Sequence, residues 1–385
     1  MALKAVHMAD VPKIDQVPDG PVLSGGVRRP SGMAVLGSPQ AAAARGFVVV
    51  GHRGKGMNAV ASSDKRMMAV RENSLLSFNR AGRFPVDFVE FDVQVTKDGF
   101  PIIFHDNVIL TEEDGAVSEK RVTDLYLEEF LSYGPQRDPA KVGKSLLRRA
   151  KDGRILNWSV EEDDSLCTLQ EAFQCVGSHL GFNIELKFDD FVAYSEEELT
   201  HSLQAVLRVV LQYANNDRPI IFSTFQPDAA KLMRKLQSIY PVFFLTEGGT
   251  EIYDDVRRNS LDEAIELCLQ SGLQGIVSEV RGVLKNPSAV PRIKECKLAL
   301  LTYGQLNNVP EAVYMQHLMG INGVIVDLVE EITEAVAGFT KAATTAAAAD
   351  ENLGETEAEE GKRQPKFSQR ELRFLLRLIP ALIQH

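Results

Sequence analysis

FVEFDVQVTKDGFPIIFHD, residues 88–106, holds two apolar runs, Phe88–Val95 and Pro101–Phe104, separated by the turn Thr96-Lys97-Asp98-Gly99. A parallel crossover needs about a dozen residues or more, so this turn predicts an antiparallel hairpin. Successive side chains in a strand point to opposite faces, so Glu90 and Asp92 project together. His105 and Asp106 follow the second run, and the hairpin is expected to bring Glu90 near His105.

Working outward, short apolar runs alternate with segments of helical period. The other strand candidates are Phe47–Gly51, Gly181–Leu186, Pro219–Phe222, Val242–Leu245, Gly275–Ser278, Leu298–Leu301 and Gly323–Val326. Helices are expected over 74–83, 168–177, 196–214, 227–238, 260–271, 287–295 and 309–319, the second opening with the capping box Thr168-Leu169-Gln170-Glu171. This alternation predicts an α/β fold, either a (β/α)8 TIM barrel or a doubly wound sheet. Polar residues follow successive strands: His52, Asp92, His105, Glu185 and Ser223. A barrel collects all of its strand ends at one mouth, whereas an open sheet collects only those at its switch point, so the barrel is preferred. Nine runs compete for eight places, and the hairpin implies that one is extra.

The barrel is expected over residues 46–337, with an insertion at 107–167 after the third strand that shapes the site. The basic stretch Lys144–Lys151 inside it reads as a solvated helix face. Residues 1–45 read as a flexible leader and 338–366 as an acidic, low-complexity linker. Residues 367–385 read as an amphipathic helix, with the capping box Ser368-Gln369-Arg370-Glu371 followed by Leu372, Leu375, Leu376 and Ile379.

A net charge of −11 over 385 residues argues against general nucleic-acid binding. The 44% hydrophobic content supports a large core, yet no apolar run is long enough to span a bilayer. Cys167, Cys175, Cys268 and Cys296 show no C-x-x-C spacing and read as reduced thiols. No secretory signal is evident, and Asp10, Asp15 and Asp19 are unusual for a transit peptide. The expected location is plastid or cytoplasm.

Glu90, Asp92 and Glu185 are candidate ligands of a hard cation, Mg²⁺ or Ca²⁺ rather than Zn²⁺. His52 and His105 are the histidines that end apolar runs, which makes them the candidate acid and base. Asp106 either orients a histidine or caps the loop. Arg53 and Lys187 are candidate phosphate holders. Gly51, Gly54 and Gly56 would let the backbone approach an anion closely. Phe225 and Tyr303 are candidate walls for a substrate.

The ordered set Gly51-His52-Arg53-Gly54, Glu72-Asn73, Glu90-Phe91-Asp92 and His105-Asp106 resembles the signature of the glycerophosphodiester phosphodiesterase family. NIELK at 183–187, Ser223-Thr224-Phe225 and GVIVD at 323–327 follow in the order of that family's later blocks. The resemblance covers roughly residues 46–332 and is strongest to soluble plant members, some of them plastid proteins. It implies a TIM barrel and a divalent cation. It also implies hydrolysis of glycerophosphodiesters, such as glycerophosphocholine and glycerophosphoethanolamine, to glycerol 3-phosphate and an alcohol. His52 and His105 would then be the acid–base pair, with Glu90, Asp92 and Glu185 on the metal and Arg53 and Lys187 on the phosphate. Glu72 would assist the metal or the glycerol, and Asn73 would fix its loop. One departure is Leu301-Thr302-Tyr303-Gly304, where the family often has Trp-Thr, so the headgroup contact differs. Two other readings stand beside this one: a phospholipase acting on lysophospholipids, and a barrel that binds phosphodiesters without cleaving them. An interfacial helix for a lipid substrate is offered only by the 367–385 tail.

Overall fold

The computed structural model describes residues 47–214 and 218–350, with side chains to residue 339. The expected leader and the 367–385 helix lie outside the described residues. In chain order, β1 (Val48–Gly51) and β2 (Phe88–Val95) are followed by the short β3 (Pro101–Ile103). Then come β4 (Val108–Glu113), β5 (Ala116–Arg121), β6 (Leu147–Arg149), β7 (Ile155–Asn157) and β8 (Cys167–Thr168). The chain continues through β9 (Gly181–Leu186), β10 (Ile220–Thr224), β11 (Val242–Thr246), β12 (Gly275–Glu279), β13 (Ala299–Tyr303) and β14 (Gly323–Val326).

β1, β2 and β9 to β14 are parallel neighbours, and β1 pairs with both β14 and β2, so eight strands close into a barrel. Because both faces of such a sheet are covered, its strands are largely apolar, but the alternation survives inside the runs. On β11, Phe243 and Leu245 join Val50, Val277, Leu301 and Ile325 in the barrel interior. Val242 and Phe244 turn outward and pack with Ile184, Phe222 and Ile276 under the helices. The helices begin close to where the sequence places them. Both Thr168 with Glu171 and Ser195 with Glu198 form reciprocal capping boxes.

The ninth apolar run is the hairpin strand. β3 pairs antiparallel with β2, Val93 opposite Ile103 and Val95 opposite Pro101, and β8 adds outside it. His105 therefore leaves a hairpin laid against the barrel rather than a barrel strand. The insertion forms its own antiparallel sheet, β5-β4-β6-β7. Ile109, Val122, Phe130, Tyr133 and Trp158 pack there with Ile102 and Phe104 of the hairpin. The basic stretch expected as a solvated helix face is a correction. Part of it is the strand β6, and Arg148 within it is 7% exposed. A strand alternates its faces, so Arg148 turns inward while Arg149 stays exposed. The last helix, Val329–Asp350, extends into the segment read as a linker from residue 338, as an alanine-rich stretch favours. No described helix is long and apolar enough to cross a membrane.

Phe182 on β9 is fully buried, with Phe91 at 5.0 Å, Phe173 at 5.2 Å and the Arg218 guanidinium at 4.0 Å from its ring. Phe182→Ala is expected to lower stability by roughly 3–5 kcal/mol in urea denaturation. A loss under about 1 kcal/mol would mean that these rings repack freely.

Candidate active site

The turn after β1 carries His52 and Arg53, and the strand-end hydrogen bond from His52 N–H to Val326 O (2.9 Å) fixes its start. Gly54 and Gly56 have φ of +94° and +118°. A Cβ on Gly54 would lie 2.4 Å from Ser77 Oγ, and one on Gly56 2.5 Å from Asp327 O. These glycines close the turn against the protein's own atoms, so their expected role in admitting an anion is corrected. Arg53 itself is left-handed, φ 49°, as is Asn73 at 54°. Non-glycine residues in this region carry backbone strain, and both belong to the charge network.

That network is buried. Arg53 N–H donates to Glu90 Oε2 (2.9 Å), and its guanidinium donates to Glu72 Oε1 (2.7 Å) and lies 3.4 Å from Asp92 Oδ2. Asn73 Nδ2 donates to Asp92 Oδ2 at 2.8 Å. Lys187 Nζ stands 3.1 Å from Glu185 Oε1 and 3.7 Å from Asp92 Oδ1. Ligand oxygens of Glu90, Asp92 and Glu185 all lie within 4.8 Å of one another. The parallel register explains this, since Asp92 is level with Glu185 across β2 and β9 and Glu90 lies one inward step deeper.

Burial disfavours charge on all three carboxyls, but their neighbours differ. Asp92 also faces His105, Arg53 and Lys187 and is held low, so it stays ionised. Burial and then the Asp92 charge push Glu90 up to about 8. Burial likewise raises Glu185. Glu90 Oε1 is buried without a hydrogen-bond partner. An orphaned carboxylate oxygen in an all-oxygen donor set fits a hard divalent cation.

The histidines sit in opposite surroundings. His52 Nδ1 lies 2.7 Å from Asp327 Oδ1, and its Nε2 faces Glu90 Oε2 at 3.9 Å. Burial opposes its charge, but the Asp327 carboxylate outweighs burial and raises its pKa. His105 Nδ1 lies 2.7 Å from Asp106 Oδ1, so Asp106 orients it. Burial and the cations Arg53 and Lys187 keep its pKa well below the ordinary value. His105 responds to Asp92 and Glu72; Glu90, which the hairpin was expected to bring to it, lies against His52 instead.

Three residues were not assigned roles from the sequence. Asp327 directly follows β14 just as His52 directly follows β1, and its place at the end of GVIVD was the available signal. Asn308 positions it, with Nδ2 donating to Asp327 Oδ2 at 2.8 Å. Arg148, from the insertion, reaches Glu72 Oε2 (2.9 Å), Asp106 Oδ1 (3.0 Å) and the face of Trp158 (4.1 Å). Nothing in its local sequence marks it. Glu72, whose side chain is fully buried, is held at about 2: burial raises its pKa, and Arg148 and Arg53 more than reverse this. Its carboxylate engages both arginines. Phe225 and Tyr303 do meet, edge to face at 6.1 Å and 90°.

Two outcomes are expected. In the metal-free protein, Asp327→Asn removes the carboxylate that holds His52 charged, so the His52 pKa measured by NMR should fall; an unchanged value would contradict the assigned cause. A cation held by Glu90 would displace its proton. Calorimetry in buffers of different ionisation enthalpy should therefore show proton release, with Mg²⁺ or Ca²⁺ affinity falling roughly tenfold per pH unit below the Glu90 pKa. Binding independent of pH would place the cation elsewhere.

Residues 52–331 match the Glycerophosphoryl diester phosphodiesterase family. The chain is 58% identical, over the full length of both proteins, to the chloroplastic glycerophosphodiester phosphodiesterase GDPD1 of Arabidopsis thaliana. It is 30% identical to the glycerophosphocholine phosphodiesterase GDE1 of Candida albicans over 74% of this chain and 28% of that protein. The fold is similar to that of an Oleispira antarctica phosphodiesterase solved with the product sn-glycerol 3-phosphate. Its TM-score is 0.55 at 20% identity, covering 77% of this chain and 99% of that one. A barrel with paired histidines over buried carboxylates, matched to that family along most of its length, places this chain in the glycerophosphodiester phosphodiesterase family of phosphodiester-cleaving enzymes.

Proposed function

We propose that the protein hydrolyses glycerophosphodiesters, among them glycerophosphocholine and glycerophosphoethanolamine, to sn-glycerol 3-phosphate and an alcohol, with a divalent cation and two histidines. The observation that carries this reading is the opposite setting of His52 and His105 about one group of buried carboxylates. Between two separated pKa values, one histidine is charged and the other neutral at the same time, which is what concerted acid and base roles require.

Glu90, Asp92 and Glu185 would hold the cation, which when bound withdraws charge from the phosphate. Lys187 and Arg53 add positive charge beside the same carboxylates. Neutral His105 takes the proton from the glycerol 2-hydroxyl as its oxygen attacks phosphorus. Charged His52 gives its proton to the departing alcohol oxygen as the P–O bond breaks. A cyclic glycerol phosphate results. The histidines then exchange roles: His52 takes a proton from water, His105 returns its own, and the ring opens to glycerol 3-phosphate. Asp327 and Asp106 keep each ring in place through its Nδ1.

The reading supports recovery of glycerol 3-phosphate and phosphate from lipid breakdown in the plastid or the cytoplasm. With glycerophosphocholine, glycerol 3-phosphate release should require Mg²⁺ or Ca²⁺, stop in EDTA, and fall by about 10²–10⁴-fold in His52→Ala or His105→Ala. Cleavage of a lysophospholipid without cleavage of glycerophosphocholine would favour a phospholipase. Binding without turnover of either would favour a non-catalytic barrel.

A further inference from the structure

The half of the mouth formed by β10 to β13 carries a second group of side chains that the proposed chemistry does not use. Phe225 directly follows β10, Glu247 directly follows β11, Glu279 ends β12 and Tyr303 ends β13. The register puts Glu247, Glu279 and Tyr303 on one level, with Thr246 opposite Ser278 and Glu279 opposite Tyr303, and Phe225 one inward step deeper, beside Leu245. It also ties them to the cation site. Ser223 is level with Glu185, and Phe225 is the next residue on the same face, one step nearer the mouth. A phosphodiester held beside Lys187 would then have Phe225 within reach of one of its two ester arms.

The chemistry of this half is aromatic and anionic. The Phe225 and Tyr303 rings are half-buried and edge to face. The Tyr303 hydroxyl donates to Thr246 O at 3.4 Å and lies within hydrogen-bonding reach of the Glu247 carboxyl. Cations on the neighbouring loops are already committed. Arg281 is held by Glu279 (3.1 Å), which also caps the helix Val280–Lys285, and Arg258 is held by Asp190 (2.6 Å). Glu247 is left half-buried with no ion pair among the described residues. Arg281 acts on Glu247 only at a distance and Arg258 stands 5.8 Å from the Phe225 ring, so the rings and a carboxylate without an ion-pair partner leave a site for an organic cation.

We propose that Glu247, Tyr303 and Phe225 form the subsite for the alcohol headgroup, and that it selects cationic amino alcohols, quaternary ammonium above all, over uncharged ones. This assignment rests on the glycerophosphodiesterase reading above. A choline headgroup gains the rings and the carboxylate together; glycerol as headgroup gains neither charge term.

The test compares kcat/KM for glycerophosphocholine and for glycerophosphoglycerol, whose headgroup is uncharged, in the wild type and in Glu247→Gln and Phe225→Leu. Each variant is checked for an unchanged melting temperature. The wild type should prefer glycerophosphocholine, and Glu247→Gln should cut that preference by about tenfold, mostly through KM, with Phe225→Leu cutting it by about three- to tenfold. Choline chloride should inhibit the wild type competitively, with an inhibition constant that rises in Glu247→Gln and largely recovers in Glu247→Asp. Turnover of both substrates with a ratio that Glu247→Gln leaves unchanged would overturn the subsite while leaving the reaction standing. Turnover of neither substrate in the wild type would instead overturn the reaction on which the subsite rests.

Discussion

Four acidic side chains are packed around the Arg53 guanidinium and the Lys187 ammonium at one end of the barrel, and most of the site follows from keeping them there. Glu72, Glu90, Asp92 and Glu185 are almost entirely removed from water, where an uncompensated carboxylate is costly. Arg53 bridges Glu72 and Asp92, while Lys187 bridges Asp92 and Glu185. Even with Arg148 on Glu72, three Arg and Lys cations do not balance four carboxylates at this end. Glu90 shows the shortfall: burial and the Asp92 charge push its pKa up, and one of its oxygens is left without a partner. A divalent cation is the natural complement of that deficit.

The insertion is tied to the same balance. Arg148 pairs with Glu72 and Asp106, and through Asp106 it bears on the position of His105. Its guanidinium stacks on Trp158, which Arg71 also covers, with its guanidinium 4.7 Å from the ring. The insertion's own apolar core, continuous with β3 through Ile102 and Phe104, holds this arginine in place. The segment that interrupts the barrel pattern thus completes the barrel's charge network. Trimming it would remove a cation from beneath Glu72 as well as altering the rim.

Much of the architecture was legible because its causes are local. Apolar runs of strand length, capping residues and a turn too short for a crossover each act within a few residues, so the eight strands, the hairpin and the helix starts could be read directly. The carboxylates of EFD and NIELK were legible for the same reason, since strand alternation puts alternate side chains on one face. Gly54 and Gly56 were misjudged because a tight turn need not leave room for a ligand. What fills the space beside the turn, here Ser77 and Asp327, comes from distant segments.

The chain's local patterning determined a barrel with a set of acids, bases and cations at its mouth. Folding decided what each of them is. His52 and His105 look alike in sequence, each ending an apolar run beside a charged residue, yet Asp327 lies 275 residues from the first and holds it charged, while burial, Arg53 and Lys187 keep the second neutral. Arg148 looks like a solvated residue of a basic run and becomes a buried partner of Glu72. Charge interactions and desolvation depend on separation in space and on burial, neither of which follows from separation along the chain.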